Sequence, residues 1–296
     1  MNNPIKRRPA LVSVTIAGAL ACGTICLPAA AQSPDSGPAP ATIAGPAAPP
    51  YADLADLMLV SPVVVDATIR STTRIKGAEA ASVAPGRQRL YIQADVAALI
   101  RGEAGLPQRV GFLADIPVDQ RGRVPSLKKQ RVLLFARRVP GSPDQLQLAG
   151  PAARVAWSPA ADSLVRRIAR ELVAADAPPT ITGIGNAFHV PGALPGEGET
   201  QVFLQTADAR PVSLSILRRP GEQPRWSVSL GEIVEEGGGP PARDTLLWYR
   251  LACALPAALP ATAVDQLAPA DASQAQQDYA VVLAALGPCG RSRPAA

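Results

Sequence analysis

The stretch Arg131-Val-Leu-Leu-Phe-Ala-Arg-Arg-Val-Pro-Gly-Ser-Pro-Asp-Gln-Leu-Gln-Leu148 decides how the chain folds. Its first part is a five-residue apolar run, Val132 to Ala136, fenced by arginines. That run is too short for a helix and reads as a core strand. Pro140, Gly141, Ser142, Pro143 and Asp144 form a turn cluster, after which Leu146 and Leu148 alternate with glutamines and leave one face apolar. The stretch therefore predicts a β-hairpin.

Upstream of it, three more strands are expected. Val63 to Arg70 is β-branched and can run on to Ile75, Arg89 to Val96 continues towards a turn at Gly102, and Gln108 to Ile116 stops at Pro117. Downstream, Arg154 to Trp157 extends the last strand past the Gly150-Pro151 break. Five short strands in about 95 residues suit a small closed or nearly closed barrel. Ahead of them, Leu54, Leu57 and Met58 recur at helical spacing between Tyr51 and Val60, predicting a short helix that caps the open end of the sheet.

The second half has a different pattern. Asp162 is the expected N-cap of a helix from Ser163 to Ala174, and Pro178-Pro179 marks a boundary. Thr180 to Val190, Gln201 to Thr206, Pro211 to Leu217 and Arg225 to Leu230 then read as a four-strand meander. Its last two strands alternate apolar residues with serine, as a sheet covered on one face does. Cover is expected from a helix that starts at Arg243-Asp244-Thr245 and ends at Pro256, and from a second helix, Ala272 to Leu286.

The alternations Val65-Asp-Ala-Thr-Ile-Arg70, Leu90-Tyr-Ile-Gln-Ala-Asp-Val96 and Leu99-Ile-Arg-Gly-Glu103 resemble the OB-type barrel of netrin-like domains, where a strand ends in a Lys/Arg-Gly pair. The resemblance covers about Val63 to Val139. It implies a barrel and carries no binding role, because those domains bear several disulfides that this segment lacks. Taken whole, the chain is similar to uncharacterised secreted proteins of bacteria, which implies a compartment and no mechanism. The expected fold class is α+β: a five-stranded OB-like barrel, a linking helix, and an antiparallel sheet covered by two C-terminal helices. The expected boundaries are 1–31 signal peptide, 32–50 disordered Pro/Ala linker, 51–160 barrel, 161–176 connecting helix, 177–290 sheet with helical hairpin, and 291–296 tail.

Export follows from the first 31 residues: Lys6, Arg7 and Arg8, an apolar stretch from Leu11 to Leu27, then Ala29-Ala30-Ala31 before the expected cut. Lipidation at Cys22 or Cys26 is disfavoured, because Ala19 and Ile25 do not match the cleavage pattern it needs. Loss of the leader removes three cations and no acid, leaving 26 basic against 24 acidic residues and a net charge of +2. The expected location is periplasmic or secreted, without a transmembrane anchor after cleavage. Two cysteines remain, Cys253 and Cys289, and an oxidising compartment predicts a disulfide between them.

Little in the chain points to catalysis. His189 is the only histidine, and no Gly-x-Ser-x-Gly elbow exists. Gly183-Ile-Gly185 leads into a strand rather than a helix, which argues for a bulge and against a phosphate cradle. Glu197, Glu199, Glu232, Glu235 and Glu236 lack calcium-loop spacing. No cofactor, metal site or catalytic residue is assigned.

One cluster stands out: Arg121, Arg123, Lys128, Lys129, Arg131, Arg137 and Arg138 fall within 18 residues with no acid among them. It is a candidate anion-binding surface for lipid headgroups or an acidic envelope protein. Solvated strand ends are the bland alternative. Nucleic acid is not expected, since Phe135 is the cluster's one aromatic residue. The chain thus reads as a non-catalytic exported envelope interaction protein. The rival is a periplasmic hydrolase using carboxylates or a serine near His189.

Overall fold

Val132 to Ala136 is buried at every position because the strand it forms has apolar neighbours on both faces. Val132, Leu134 and Ala136 point into a barrel, while Leu133 and Phe135 point out of it into a layer of helices. Period-two alternation sends successive side chains to opposite faces, so a run without polar residues is what a doubly covered strand requires. Truncating Phe135 to alanine would cost about 3–5 kcal/mol.

The computed structural model describes residues 48–231 and 239–293. The expected signal peptide, most of the expected linker, and Glu232, Glu235 and Glu236 lie outside the described residues.

Five strands close the barrel: β1 (Val63–Arg74), β2 (Arg87–Arg101), β3 (Arg109–Pro117), β4 (Arg131–Val139) and β5 (Ser142–Leu148). Their order is β1-β2-β3-β5-β4, and β4 returns to pair with β1 from Val63↔Ala136 to Thr68↔Arg131. Every pairing is antiparallel except β3 with β5. Three register shifts along β1 and β2 increase the local twist and let the long hairpin curl towards closure. The β4–β5 turn is tighter than the sequence suggested. Gly141 takes φ 75°, so Pro140-Gly141 reverses the chain and β5 already begins at Ser142. β6 (Arg154–Ala156) continues the line of β5 along β4, as expected across the Gly150-Pro151 break.

The second sheet is the expected meander, β7 (Ile181–Pro191), β8 (Gly198–Thr206), β9 (Val212–Arg218) and β10 (Arg225–Ser229), in the order β10-β9-β8-β7. Register shifts flank Gly183 to Ala187, so the Gly-x-Gly step is a bulge inside one strand. Val202, Leu204, Leu214 and Ile216 are buried on one face, and helix α4 (Pro269–Leu286) lies across β7, β8 and β9. Phe188 and Phe203 meet edge to face on the opposite, open side, with centroids 5.9 Å apart.

Between barrel and sheet sit α1 (Tyr51–Leu59), α2 (Pro159–Val173) and α3 (Leu246–Ala252). α1 is buried along most of its length and shares one apolar cluster with the outward residues of β1 and β4, with the other helices and with the sheet. It is a core element, where the sequence suggested only a cap for the sheet end. The N-cap of α2 is Ser158, whose Oγ accepts the Ala161 N–H at 3.2 Å, and not Asp162. Pro159 explains the difference, because proline is pre-organised for the first helical position and fixes the start four residues earlier than expected. Asp162 instead pairs with Arg166 at 2.9 Å within the first turns.

Candidate functional site

The two cysteines form the expected disulfide, with Cα atoms 4.8 Å apart. Cys253 is the C-cap of α3, since that helix ends at Ala252 and not near Leu255. The bridge brings the C-terminal segment back over α1. Arg291 closes on Asp56 with bonds of 2.7 and 2.9 Å, Tyr249 donates to Asp56 at 2.5 Å, and the Ser292 N–H donates to Asp53 at 3.0 Å. These contacts are structural.

The basic cluster does not assemble into one surface. Arg131 is tied to Asp66 by two bonds of 2.9 and 2.6 Å and stacks 3.8 Å over Trp157. Arg123 pairs with Asp119 at 3.1 Å, and the Arg121 N–H donates to the same carboxylate. At the far end of β4, Arg138 donates to the Glu103 and Ala104 carbonyls, and Arg137 to Gln147. Lys128 and Lys129 border a shallow depression with Arg70 and Asp95. β4 spans about 23 Å from Arg131 to Arg138 at strand rise, so sequence neighbours end up at opposite ends of the barrel.

His189 sits on the covered face of the second sheet. Its Nδ1 is 2.9 Å from the Thr200 hydroxyl, which itself donates to Asp278 at 2.5 Å. A hydroxyl has one hydrogen, so Nδ1 is the donor to Thr200. Asp278 also accepts from Arg218 and from Gln274 at 3.2 Å, which satisfies a fully buried carboxylate. Gly198 lies against the ring: a Cβ there would stand 2.8 Å from Cε1 and 3.2 Å from Nε2. The ring is 7% exposed and Thr200 is 0% exposed, so the hydroxyl beside His189 belongs to a threonine turned inward. Glu197 folds back on the Leu194 N–H at 3.2 Å, and Glu199 accepts from Gln201 at 3.0 Å. Among the described residues, no group of three or more His, Cys, Asp and Glu could hold a metal ion, and no helix is long and apolar enough to cross a membrane.

A concavity lies elsewhere among the described residues, on the parallel seam of the barrel. β3 and β5 pair only at Gly111↔Gln145 and Phe112↔Leu146. Glycine leaves room there for the Tyr91 side chain: a Cβ at Gly111 would come within 2.1 Å of the Tyr91 hydroxyl, which accepts from Gln145 at 3.0 Å. Beyond this point the strands separate and open a groove of about 720 Å³. Its floor reaches Phe112, Ile116 and Leu146, residues of the barrel core, and its walls include Leu113, Leu148 and Pro151. The size and apolar lining are those of ligand sites.

Charge in the groove is unbalanced, with Arg87, Arg89 and Arg154 facing a single acid, Asp115. Arg89 grips Asp115 through a two-pronged pair of 2.8 and 2.9 Å, which holds that carboxyl below the usual carboxylate range. Arg87 gives one N–H to the Asp115 carbonyl at 2.8 Å. The Arg154 side chain is half-buried and makes no hydrogen bond or ion pair with any described residue; burial alone pushes its guanidinium down from the ordinary value. An arginine remains charged under these conditions, so an uncompensated cation lines an apolar groove.

The exposed Leu113 and the Arg87–Arg89–Arg154 convergence were absent from the sequence-derived candidates. The signal was faint: Arg89 reads as the first residue of a strand, Arg87 lies in the loop before it, and Arg154 stands 65 residues beyond Arg89. No known protein family matches the chain, and no curated protein matches it either.

Proposed function

We propose that the chain is an exported, non-catalytic binding protein of the cell envelope whose ligand site is the groove on the barrel seam. The unpaired, half-buried Arg154 carries this reading. Its guanidinium has no protein partner among the described residues and its nitrogens stay open to solvent beside an apolar lining, which leaves it available to an anionic ligand. The burial of His189 and the inward-turned Thr200 support binding over hydrolysis. The compartment rests on the leader-like first 31 residues and agrees with the disulfide. The barrel's strand order, with a parallel β3–β5 seam, supports the resemblance to OB-type barrels.

A photoreactive residue at Gln147, on the groove wall, tests the site in intact cells. A control probe at Glu222, in the turn between β9 and β10, reports background. The reading expects a discrete adduct from position 147 that disappears with Arg154→Glu. Equal labelling from both positions, or none from 147, overturns it.

A further inference from the structure

The groove has a strand edge as well as a charged wall. The Val96 N–H donates to the Gln108 carbonyl at 2.8 Å, and the Val118 N–H to the Gly86 carbonyl at 3.0 Å. The β2–β3 register between them runs without a shift. Even-numbered residues of β3 therefore turn their backbone groups to β2, and odd-numbered ones turn theirs to the opposite edge. Pairing with β5 stops at Phe112, so the Leu113 carbonyl and the Asp115 N–H lie along a β3 edge that no strand occupies. An uncovered edge is a template for another strand.

From this juxtaposition we infer that the groove takes an extended acidic peptide segment, which adds to β3 beside Leu113 and Asp115 and places a carboxylate on Arg154. This deepens the binding reading above and rests on it. A strand alternates its faces, so a peptide that alternates apolar and acidic residues puts apolar side chains on Phe112 and Ile116 and carboxylates on the arginine wall. The groove's charge, three cations against one carboxylate, selects the sign. The alternative occupant, a single-chain anionic amphiphile, would use the same arginine and apolar floor but leave the β3 edge unpaired.

Fluorescent acetyl-Thr-Val-Glu-Val-Glu-Val-Thr, its Lys-for-Glu counterpart and decanoate are the probes for the intact protein. The acidic peptide should bind, weaken as salt rises, and lose about tenfold or more with Arg154→Gln. The lysine peptide should not bind. N-methylation of alternate amides should abolish binding in one parity and be tolerated in the other, because a strand pairs along one edge. Gly111→Ala, which wedges the seam at Tyr91, offers a second variant whose folding is checked by its melting curve. Equal effects of the two methylation parities, or binding of decanoate without the peptide, overturn the strand-addition inference and leave the groove reading standing. Failure of every probe while the Gln147 adduct persists does the same. Failure of the probes together with loss of that adduct removes both.

Discussion

Arg131 reaches across the β1–β4 pair to Asp66 and closes two hydrogen bonds, 2.9 and 2.6 Å, on a carboxylate that is 1% exposed. The arginine is 43% exposed on its side chain, so the two partners are not equivalent. Removing Arg131 strands a buried charge, whereas removing the charge of Asp66 leaves a cation that water can solvate. Arg131→Gln should lower the melting temperature more than Asp66→Asn. Thermal denaturation of both variants checks the order, and the reverse order would mean that Asp66 does not depend on this arginine.

The relay from His189 through Thr200 to Asp278 is expected to serve stability. Thr200→Val removes one donor from a buried carboxylate and should cost about 1–3 kcal/mol in denaturant unfolding. Acylation of His189 by diethylpyrocarbonate should be slow in the native protein and fast once it unfolds. Fast labelling of the native ring would show an accessible imidazole and favour the hydrolase reading.

Reduction should loosen the C-terminal segment first. The bridge closes 36 residues of chain, which corresponds to about 4 kcal/mol in the chain-entropy model. Reduced protein should melt at a lower temperature and admit trypsin at Arg291, which the intact fold holds on Asp56. Unchanged melting after complete reduction would contradict this.

Alkali should weaken the fold through its tyrosines. Burial and the hydrogen bond to Asp56 push the Tyr249 hydroxyl up to about 12. Burial, together with Glu171 in the first case, raises Tyr51 and Tyr279 further. In the unfolded chain these groups ionise near about pH 10. A raised folded value contributes stability that is fully present below the unfolded value and is lost as pH rises towards the folded one. Stability should therefore hold to pH 10 and fall from 10 to 12, at most about 1.4 kcal/mol per pH unit for each tyrosine. Denaturant midpoints with absorbance at 295 nm measure it; a flat midpoint across that window would oppose the assignment.

Much of the fold is visible in local pattern, because alternation and turn residues are short-range properties. Val132 to Ala136, the Gly141 reversal and the serine-alternating strands of the second sheet all have such signatures. The parallel β3–β5 seam has none: it depends on barrel closure, and Gly111 announces it only once Tyr91 is seen above it. The basic cluster illustrates the converse. Seven cations are close in sequence, yet Asp66 and Asp119 lie outside the counted window and take up Arg131 and Arg123. The groove arginines converge from β2 and β6, which only the closed barrel brings together.

Hydrogen exchange, compared between the free protein and the purified Gln147 adduct, tests the groove most directly. New protection is expected at Leu113 to Pro117 and around Leu146 to Arg154, with none on the open face that carries Phe188 and Phe203. Protection confined to that open face, with β3 exchanging as in the free protein, would contradict it.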